Sequence, residues 1–391
     1  MKRYLSIISI FLVSISIFAE DEVTIALQQV AKNNLTLKAL LHESEANVLD
    51  TKAGNALGGP SVEYSPFYKK GYSGLAESEL IVKEDFDFPT KYAARNKLAS
   101  LQKETGAMTY ERQRRDILLE AKLLCLDIIR INQTLQMLHQ RLTNSETLNT
   151  MYQKRLDAGD ANILDVNKVR LDCMEVKTLC SEAENERSTL LQQLQQLNGG
   201  FAIDITGTKL PEIDMHFSYE DFINQAMAQD ASIREAEANV KTMRQDVSIS
   251  RQEWLPNLSV GYRRNTEMKE AVNGFMVGVS FPLLGNGSKV KAAQHRQQSA
   301  ELQLQQLQQD TESSLRSRYM EMQNLQHILD HSDVEMMQEM LQLLSKALQH
   351  GEITALQYYT EINSIYEKIQ RHIDVHCQMV KIQASLYKNE L

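Results

Sequence analysis

Arg155-Leu156-Asp157-Ala158-Gly159-Asp160-Ala161-Asn162-Ile163-Leu164-Asp165-Val166 is flanked on both sides by long polar-apolar stretches without proline. Lying between two long helical segments, it reads as the turn that joins them. The pattern returns as Ala347-Leu348-Gln349-His350-Gly351-Glu352-Ile353-Thr354-Ala355-Leu356-Gln357-Tyr358, with Gly159 aligned on Gly351 and Leu164 on Leu356. Both stretches are predicted to be tips of helical hairpins, and the rest of the chain is read outward from them.

Lys91 to Ala158 contains no proline before the first tip. As one helix it would be about 100 Å long. Beyond the tip, Val166, Val169, Cys173, Val176, Cys180, Ala183, Leu190, Leu194 and Leu197 recur at three- and four-residue steps, broken only by Arg187. That spacing is a coiled-coil seam. Tyr358, Ile362, Ile365, Ile369, Ile373, Cys377, Val380, Ala384 and Tyr387 form a comparable stripe beyond the second tip. Pro60, Pro66 and Pro89 cluster early, Pro256 and Pro282 repeat the cluster, and Leu283 to Leu391 has none. Because proline breaks helix interiors, the proline-free stretches are expected to run as uninterrupted helix pairs.

The matching of Leu37–Pro60 with Ile233–Pro256, Phe88-Pro89 with Phe281-Pro282, and Gly159 with Gly351 predicts an internal duplication. A first repeat over 20–200 and a second over 218–391 each read helix, two short strands, long helical hairpin. A linker over 201–217, just after Gly199-Gly200, joins them. Met1-Lys2-Arg3 followed by an apolar run to Phe18 and by Ala19 predicts a secretory signal peptide over 1–19. No cysteine follows the expected cleavage point, so a lipid anchor there is not expected. The fold class is mainly α with a small β part.

Four short segments alternate. Leu80, Val82, Phe86 and Phe88 share one face, with Glu84 as an exception among them. Leu258, Val260 and Tyr262 share a face in the third segment, and Phe275, Val277, Val279 and Phe281 in the fourth. The first, around Val62, Tyr64 and Tyr68, is weaker and interrupted by Pro66. Apolar-out, polar-in alternation suits strands of a membrane barrel, and it also suits an amphipathic hairpin on a soluble core. If the strands span a membrane, four cannot close alone, so several chains must share one barrel. Trp254, next to Pro256, would suit an interfacial aromatic position.

A net charge of -9 argues against a general nucleic-acid binder. The sequence has no Gly-rich phosphate loop, nucleophile motif or Cys-x-x-Cys, so no enzyme, cofactor or nucleotide reading has support. Cys125, Cys173, Cys180 and Cys377, three of them on helix stripes, are expected to be buried free thiols, with disulfides as the alternative in an exported chain. His327/His331 and His372/His376 each have a four-residue spacing, but neither pair supplies the third ligand that a metal site needs.

The segments Ala158-Gly159-Asp160-Ala161-Asn162-Ile163-Leu164-Asp165-Val166, Trp254-Leu255-Pro256-Asn257-Leu258-Ser259-Val260 and Phe281-Pro282-Leu283-Leu284-Gly285-Asn286-Gly287 resemble, in order and spacing, the tip, strand-entry and strand-return motifs of TolC-family outer-membrane efflux proteins. The resemblance covers nearly the whole chain after the signal peptide. It implies a homotrimer in which each chain gives four strands to a shared twelve-stranded β-barrel, continued by an α-helical coiled-coil barrel across the periplasm. It also implies a location in the outer membrane, in contact with its lipid. The partners would be a periplasmic adaptor (membrane fusion) protein and an inner-membrane pump that supplies the energy. Carried over onto this sequence, Arg155, Gly159, Leu164, Asp165, Val166, Gly351, Leu356, Gln357 and Tyr358 would form the periplasmic entrance and dock the adaptor. Gln357 and Thr360 stand where some members have paired aspartates, so an acidic constriction is not expected here. The competing expectation is a secreted periplasmic coiled-coil scaffold without a pore.

Overall fold

The computed structural model describes residues 19–71, 73–211, 219–267, 270–282 and 286–391. The expected signal peptide therefore lies, apart from its last residue, outside the described residues, as do Leu283, Leu284 and Gly285 of the strand-return motif.

In chain order the elements are α1 (Ala19–Asn33), α2 (Leu35–Ala53), β1 (Ser61–Phe67), β2 (Glu77–Phe86), α3 (Pro89–Asp157), α4 (Ile163–Leu197), α5 (Tyr219–Gln229), α6 (Ala231–Gln252), β3 (Asn257–Glu267), β4 (Glu270–Ser280), α7 (Asn286–Asp330), α8 (Val334–His350) and α9 (Ala355–Leu386), closed by a short 3-10 turn at Lys388–Glu390. The elements group into two compact units. One draws on the chain up to Leu35, on Arg115–Tyr219 and on Arg316–Leu391; the other on Thr36–Arg114 and Glu220–Leu315.

The first unit holds both hairpin tips and is built on apolar seams. Val166, Val169, Cys173, Val176, Cys180, Ala183 and Leu194 of α4 are buried, as the sequence spacing predicts. Ile131, Leu135 and Leu138 of α3 pack with Val176, Cys180 and Ala183. Arg187 breaks the seam because it has another task. Its guanidinium donates to the Asn132 side chain at 2.7 Å and to Asp204 at 3.0 Å, fastening the segment after α4. Ile205 lies buried beneath this fastening.

The second unit holds the sheet, and its helices are joined differently. Many of its buried apolar residues are small, among them Ala94, Ala99, Ala238, Ala293 and Ala300. Polar side chains bridge the helices at intervals. Thr51 bonds Gln102 at 2.6 Å, Thr105 and Thr242 hydroxyls meet at 3.1 Å, Thr109 bonds Glu235 at 2.7 Å, and Gln245 donates to the Ala94 carbonyl at 2.8 Å. Gly106 allows close helix approach: a Cβ there would meet the Ser44 hydroxyl at 2.2 Å.

Two expectations are corrected. The second proline-free stretch is not one uninterrupted helix pair, because α7 ends at Asp330 and α8 starts at Val334. Proline is sufficient to break a helix but not necessary. Here Asp333 caps the new helix, its carboxylate accepting from Met336 N at 2.9 Å. Pro66 does not interrupt β1, which runs through it to Phe67. β1 is an edge strand, where a residue without an N–H is tolerated. The helix before each strand pair also proves to be two helices. They part at Asn34 in the first case and at Asp230 in the second, where Asp230 caps α6 through Ser232 N and Ile233 N.

Candidate functional site: a bare sheet face and two paired hairpin tips

The four strands form an antiparallel meander in the order β1-β2-β3-β4. Register puts side chains of directly paired residues on the same face. Val62 pairs with Val82, Val82 with Tyr262, and Tyr262 with Phe275, giving one apolar row across the whole sheet. The next row is Glu84, Val260 and Val277, and the next Phe86, Leu258 and Val279. On the other side of the first row lie Tyr64, Leu80, Arg264 and Asn273, where the band turns polar. Leu80, Val82, Phe86, Leu258, Val260, Tyr262, Phe275, Val277 and Val279 thus do share one face. Phe88 and Phe281 fall just beyond the ends of β2 and β4. Val62 and Tyr64 complete the face on β1; their alternation was legible but shortened by the reading of Pro66.

Among the described residues, nothing covers the outer rows. Phe275 is 91 % and Val277 79 % exposed. Tyr262 and Phe275 meet edge-on with ring centroids 6.2 Å apart, which stiffens the row without burying it. The reverse face is polar and tight. Glu79 and Arg263 form an ion pair there, and Asn265 donates to Glu77 at 3.0 Å. Gly261 is required, since a Cβ would stand 2.8 Å from the Val82 carbonyl oxygen. Among the described residues β1 pairs only with β2 and β4 only with β3, so both edges of the sheet have a free side there.

The two tips are built the same way. Gly159 and Gly351 both adopt left-handed backbone, with φ of 80° and 76°. At the first, Gly159 N bonds Leu156 O at 3.0 Å and Asp160 N bonds Arg155 O at 2.8 Å. At the second, Gly351 N bonds Leu348 O at 3.1 Å and Glu352 N bonds Ala347 O at 2.9 Å. This paired closure satisfies carbonyls that the helix end would otherwise leave open. Three residues on, each outgoing helix is capped. Asn162 accepts from Leu164 N at 3.0 Å; Thr354 accepts from Gln357 N at 3.3 Å while Gln357 bonds back to Thr354 N at 3.0 Å. Gln357 is therefore part of a cap.

Leu148 and Tyr152 of the first hairpin and Leu348, Tyr358, Tyr359 and Ile362 of the second join Val166 and Val169 in one core. Val166 and Tyr358, which the resemblance carries to the tips, are interior there, 1 % and 4 % exposed, as their places on the predicted seams require. Leu164 and Leu356 point outward, 70 % and 63 % exposed, with Ile163 exposed beside them. Arg155 is half-buried with its guanidinium 5.6 Å from the Tyr152 ring centre, Asp165 is half-buried in the first turn of α4, and both glycines are exposed.

Sequence reading missed a polar knot under this core. Arg141 Nη2 donates to Asp172 Oδ1 and to Asn363 Oδ1, both at 2.8 Å. Ser145 donates to Asp172 Oδ2 at 2.8 Å, and the Arg141 guanidinium lies 4.8 Å from the centre of the Tyr366 ring. Both charged side chains are buried. The available signal was Asp172 itself, an acid three residues after Val169 inside an apolar seam. Burial pushes the neighbouring Tyr358 hydroxyl up to about 12 and raises that of Tyr359 further, so both stay neutral at physiological pH.

All four cysteines are buried free thiols. Burial pushes Cys125 and Cys377 up to about 12, far from the range of a reactive thiolate. Among the described residues, no group of three or more His, Cys, Asp or Glu is placed to hold a metal ion, and no helix is long and apolar enough to cross a membrane.

Residues 222–389 match the family model of the outer membrane efflux protein. No curated protein matches the chain. Among solved structures, CusC, described in terms of folding and transmembrane channel formation, aligns with a TM-score of 0.78 at 16% identity, over 94% of this chain and 92% of its own. The outer membrane protein VceC of Vibrio cholerae aligns with a TM-score of 0.74 at 14% identity, over 94% and 95%. The outer membrane channel CmeC of Campylobacter jejuni gives 0.75 at 12% identity, over 94% and 85%. The chain has the fold of these channels over the aligned 94% of its length, and the family model covers the segment that holds the strand-entry, strand-return and second tip motifs.

Proposed function

We propose that this chain, whose second half carries the outer membrane efflux protein domain, is the passive outer-membrane duct of a tripartite efflux or export system. The observation that carries this reading is the sheet. Its apolar face is continuous in register and bare, and both of its edges are free. A face of this kind in water would be an aggregation site. In lipid it is a barrel wall, provided the edges are closed, because an unpaired edge cannot face hydrocarbon. Three copies joined edge to edge would give twelve strands, with β4 of each copy meeting β1 of the next. The polar face with Glu79, Arg263 and the glycines would line the water-filled side.

The helices would then extend into the periplasm as a coiled-coil barrel. The two matched tips are the surface offered to a periplasmic adaptor, with Leu164 and Leu356 as apolar contacts and Gly159 and Gly351 as points where a partner helix approaches closely. Arg155 and Asp165 would add charge at the rim. Gln357 and Tyr358 would act indirectly, one by capping α9 and one by packing beneath it. The energy would come from an inner-membrane pump joined through the adaptor. Small molecules or proteins would pass through the duct. The matched helix interruptions at Asn34 and Asp230, and the matched caps at Asn162 and Thr354, support the division into two repeats over 20–200 and 218–391.

The test is electron microscopy of protein extracted in detergent from the membrane fraction. A threefold particle with a hollow stalk is expected. A thin soluble rod without closure would instead favour the pore-free scaffold. At the tips, Gly159→Trp and Gly351→Trp are expected to leave trimers intact while weakening adaptor cross-linking and export. Normal cross-linking and normal export in both variants would remove the tips from the docking role.

A further inference from the structure

The α7–α8 interruption has a feature that the duct reading does not use. Residues 331–333 contain neither proline nor glycine, yet the helix stops and restarts there while α9 runs unbroken alongside. The break is secured by few bonds. His331 N reaches Ile328 O at 3.3 Å and Ser332 N reaches Leu329 O at 2.9 Å, both tight-turn closures of the outgoing helix. The Asp333 carboxylate caps α8. One side-chain bond ties the break to α9: Ser332 Oγ and His372 Nδ1 lie 3.0 Å apart.

The surroundings of that bond are unusually basic. His331 stacks with His327 at 4.5 Å between ring centres, and His372 lies 6.3 Å from His376. His331 Nδ1 donates to the His327 carbonyl at 2.7 Å, so that nitrogen is committed. A crevice of about 210 Å³ opens at the break, with Lys368 and Arg371 on the same wall as His372, and no carboxylate among its described lining residues. The nearby acids are engaged elsewhere. Asp330 accepts from Gln326, Asp333 is the cap, and Asp374 accepts from Gln370 and from Arg130 of α3, which also pairs with Glu186 of α4.

We infer that the α7–α8 break is a proton-sensitive hinge, pinned to α9 by neutral His372 and released when His372 and His376 become charged beside Lys368 and Arg371. Burial lowers both imidazoles below their usual value, and His372 lowers His376 further. The sign follows from linkage. The packed break disfavours the proton, whereas a loosened one takes it up near the ordinary histidine value of about 6.5. Packing is therefore complete above that value and weakens as pH falls below it. A charged His372 can hold Ser332 only as a donor, so the arrangement in which the Ser332 hydroxyl donates to Nδ1 is lost on protonation.

Hydrogen exchange of the full chain, read by mass spectrometry at pH 7.5 and 5.5 with labelling times scaled for intrinsic exchange, tests this. Amides of 331–338 are expected to lose protection about threefold or more at pH 5.5, while those of 166–180 in α4 hold theirs. His372→Gln with His376→Gln, which cannot charge, is expected to abolish the pH difference in 331–338. Equal protection of the wild-type break at both pH values would overturn the hinge. So would an acid loss of the same size in the double variant.

Discussion

The sheet face and the paired tips use the same kinds of residue and end in opposite conditions. Val277 and Phe275 lie bare on β4, while Val166 and Tyr359 at the tips are 1 % exposed. At the tips, two hairpins bury each other's seam within one chain. In the sheet, each strand finds its neighbours, but among the described residues the face finds no cover. The tips are thus complete as a single chain and the sheet is not. On the proposed reading, lipid completes its face and strands of further copies its edges.

The largest effect is expected where the tip core encloses charge. Asp172→Ala leaves Arg141 buried without its carboxylate and should cost about 3–5 kcal/mol in denaturant unfolding followed by circular dichroism. Replacing both partners, as Arg141→Met with Asp172→Leu, should recover most of that loss. If the double variant is as unstable as the single, the enclosure of the knot is not what distinguishes the tips. On the bare face, Val277→Arg should cost about 2–4 kcal/mol of membrane assembly, scored as the fraction of folded protein recovered in membranes. Lys83→Gln, on the reverse face, should change assembly by no more than about 0.5 kcal/mol. Equal losses from the two would erase the difference between faces. Gly351→Val meets open space but needs left-handed backbone, so about 1–2 kcal/mol of thermal stability should be lost, with Gly351→Asn milder. Thr354→Ala, which opens the capping box, should cost about 1 kcal/mol by the same melt, and Asn162→Ala no more than that.

The tips were legible because their determinants are local. A left-handed glycine and a cap three residues later are fixed by backbone chemistry within a dozen residues, so Gly159 and Gly351 could be read directly. The strand alternation was legible for the same reason, although Pro66 was given too much weight. The hinge at 331–333 was not, since Ser-Asp pairs occur commonly within and beside helices. Only packing against α9 makes this one a break. The knot of Arg141, Ser145, Asp172, Asn363 and Tyr366 was hidden for a different reason. Its members come from three helices, and a charge inside a seam looks like a flaw until its partner is seen.

The sequence by itself determined most of the strands and long helices, the two glycine tips and the family resemblance, because periodicity and breakers act over short stretches, whereas the breaks at Asn34, Asp230 and 331–333 were not legible in it. Only the tertiary structure decided what the helix seams pack against. Val166 and Tyr358, each on a predicted stripe, meet in one core, while Leu164 and Leu356, within two residues of them, stay outside. Rotation of a helix about its axis is set by what packs against it, and that partner lies nearly two hundred residues away in the chain.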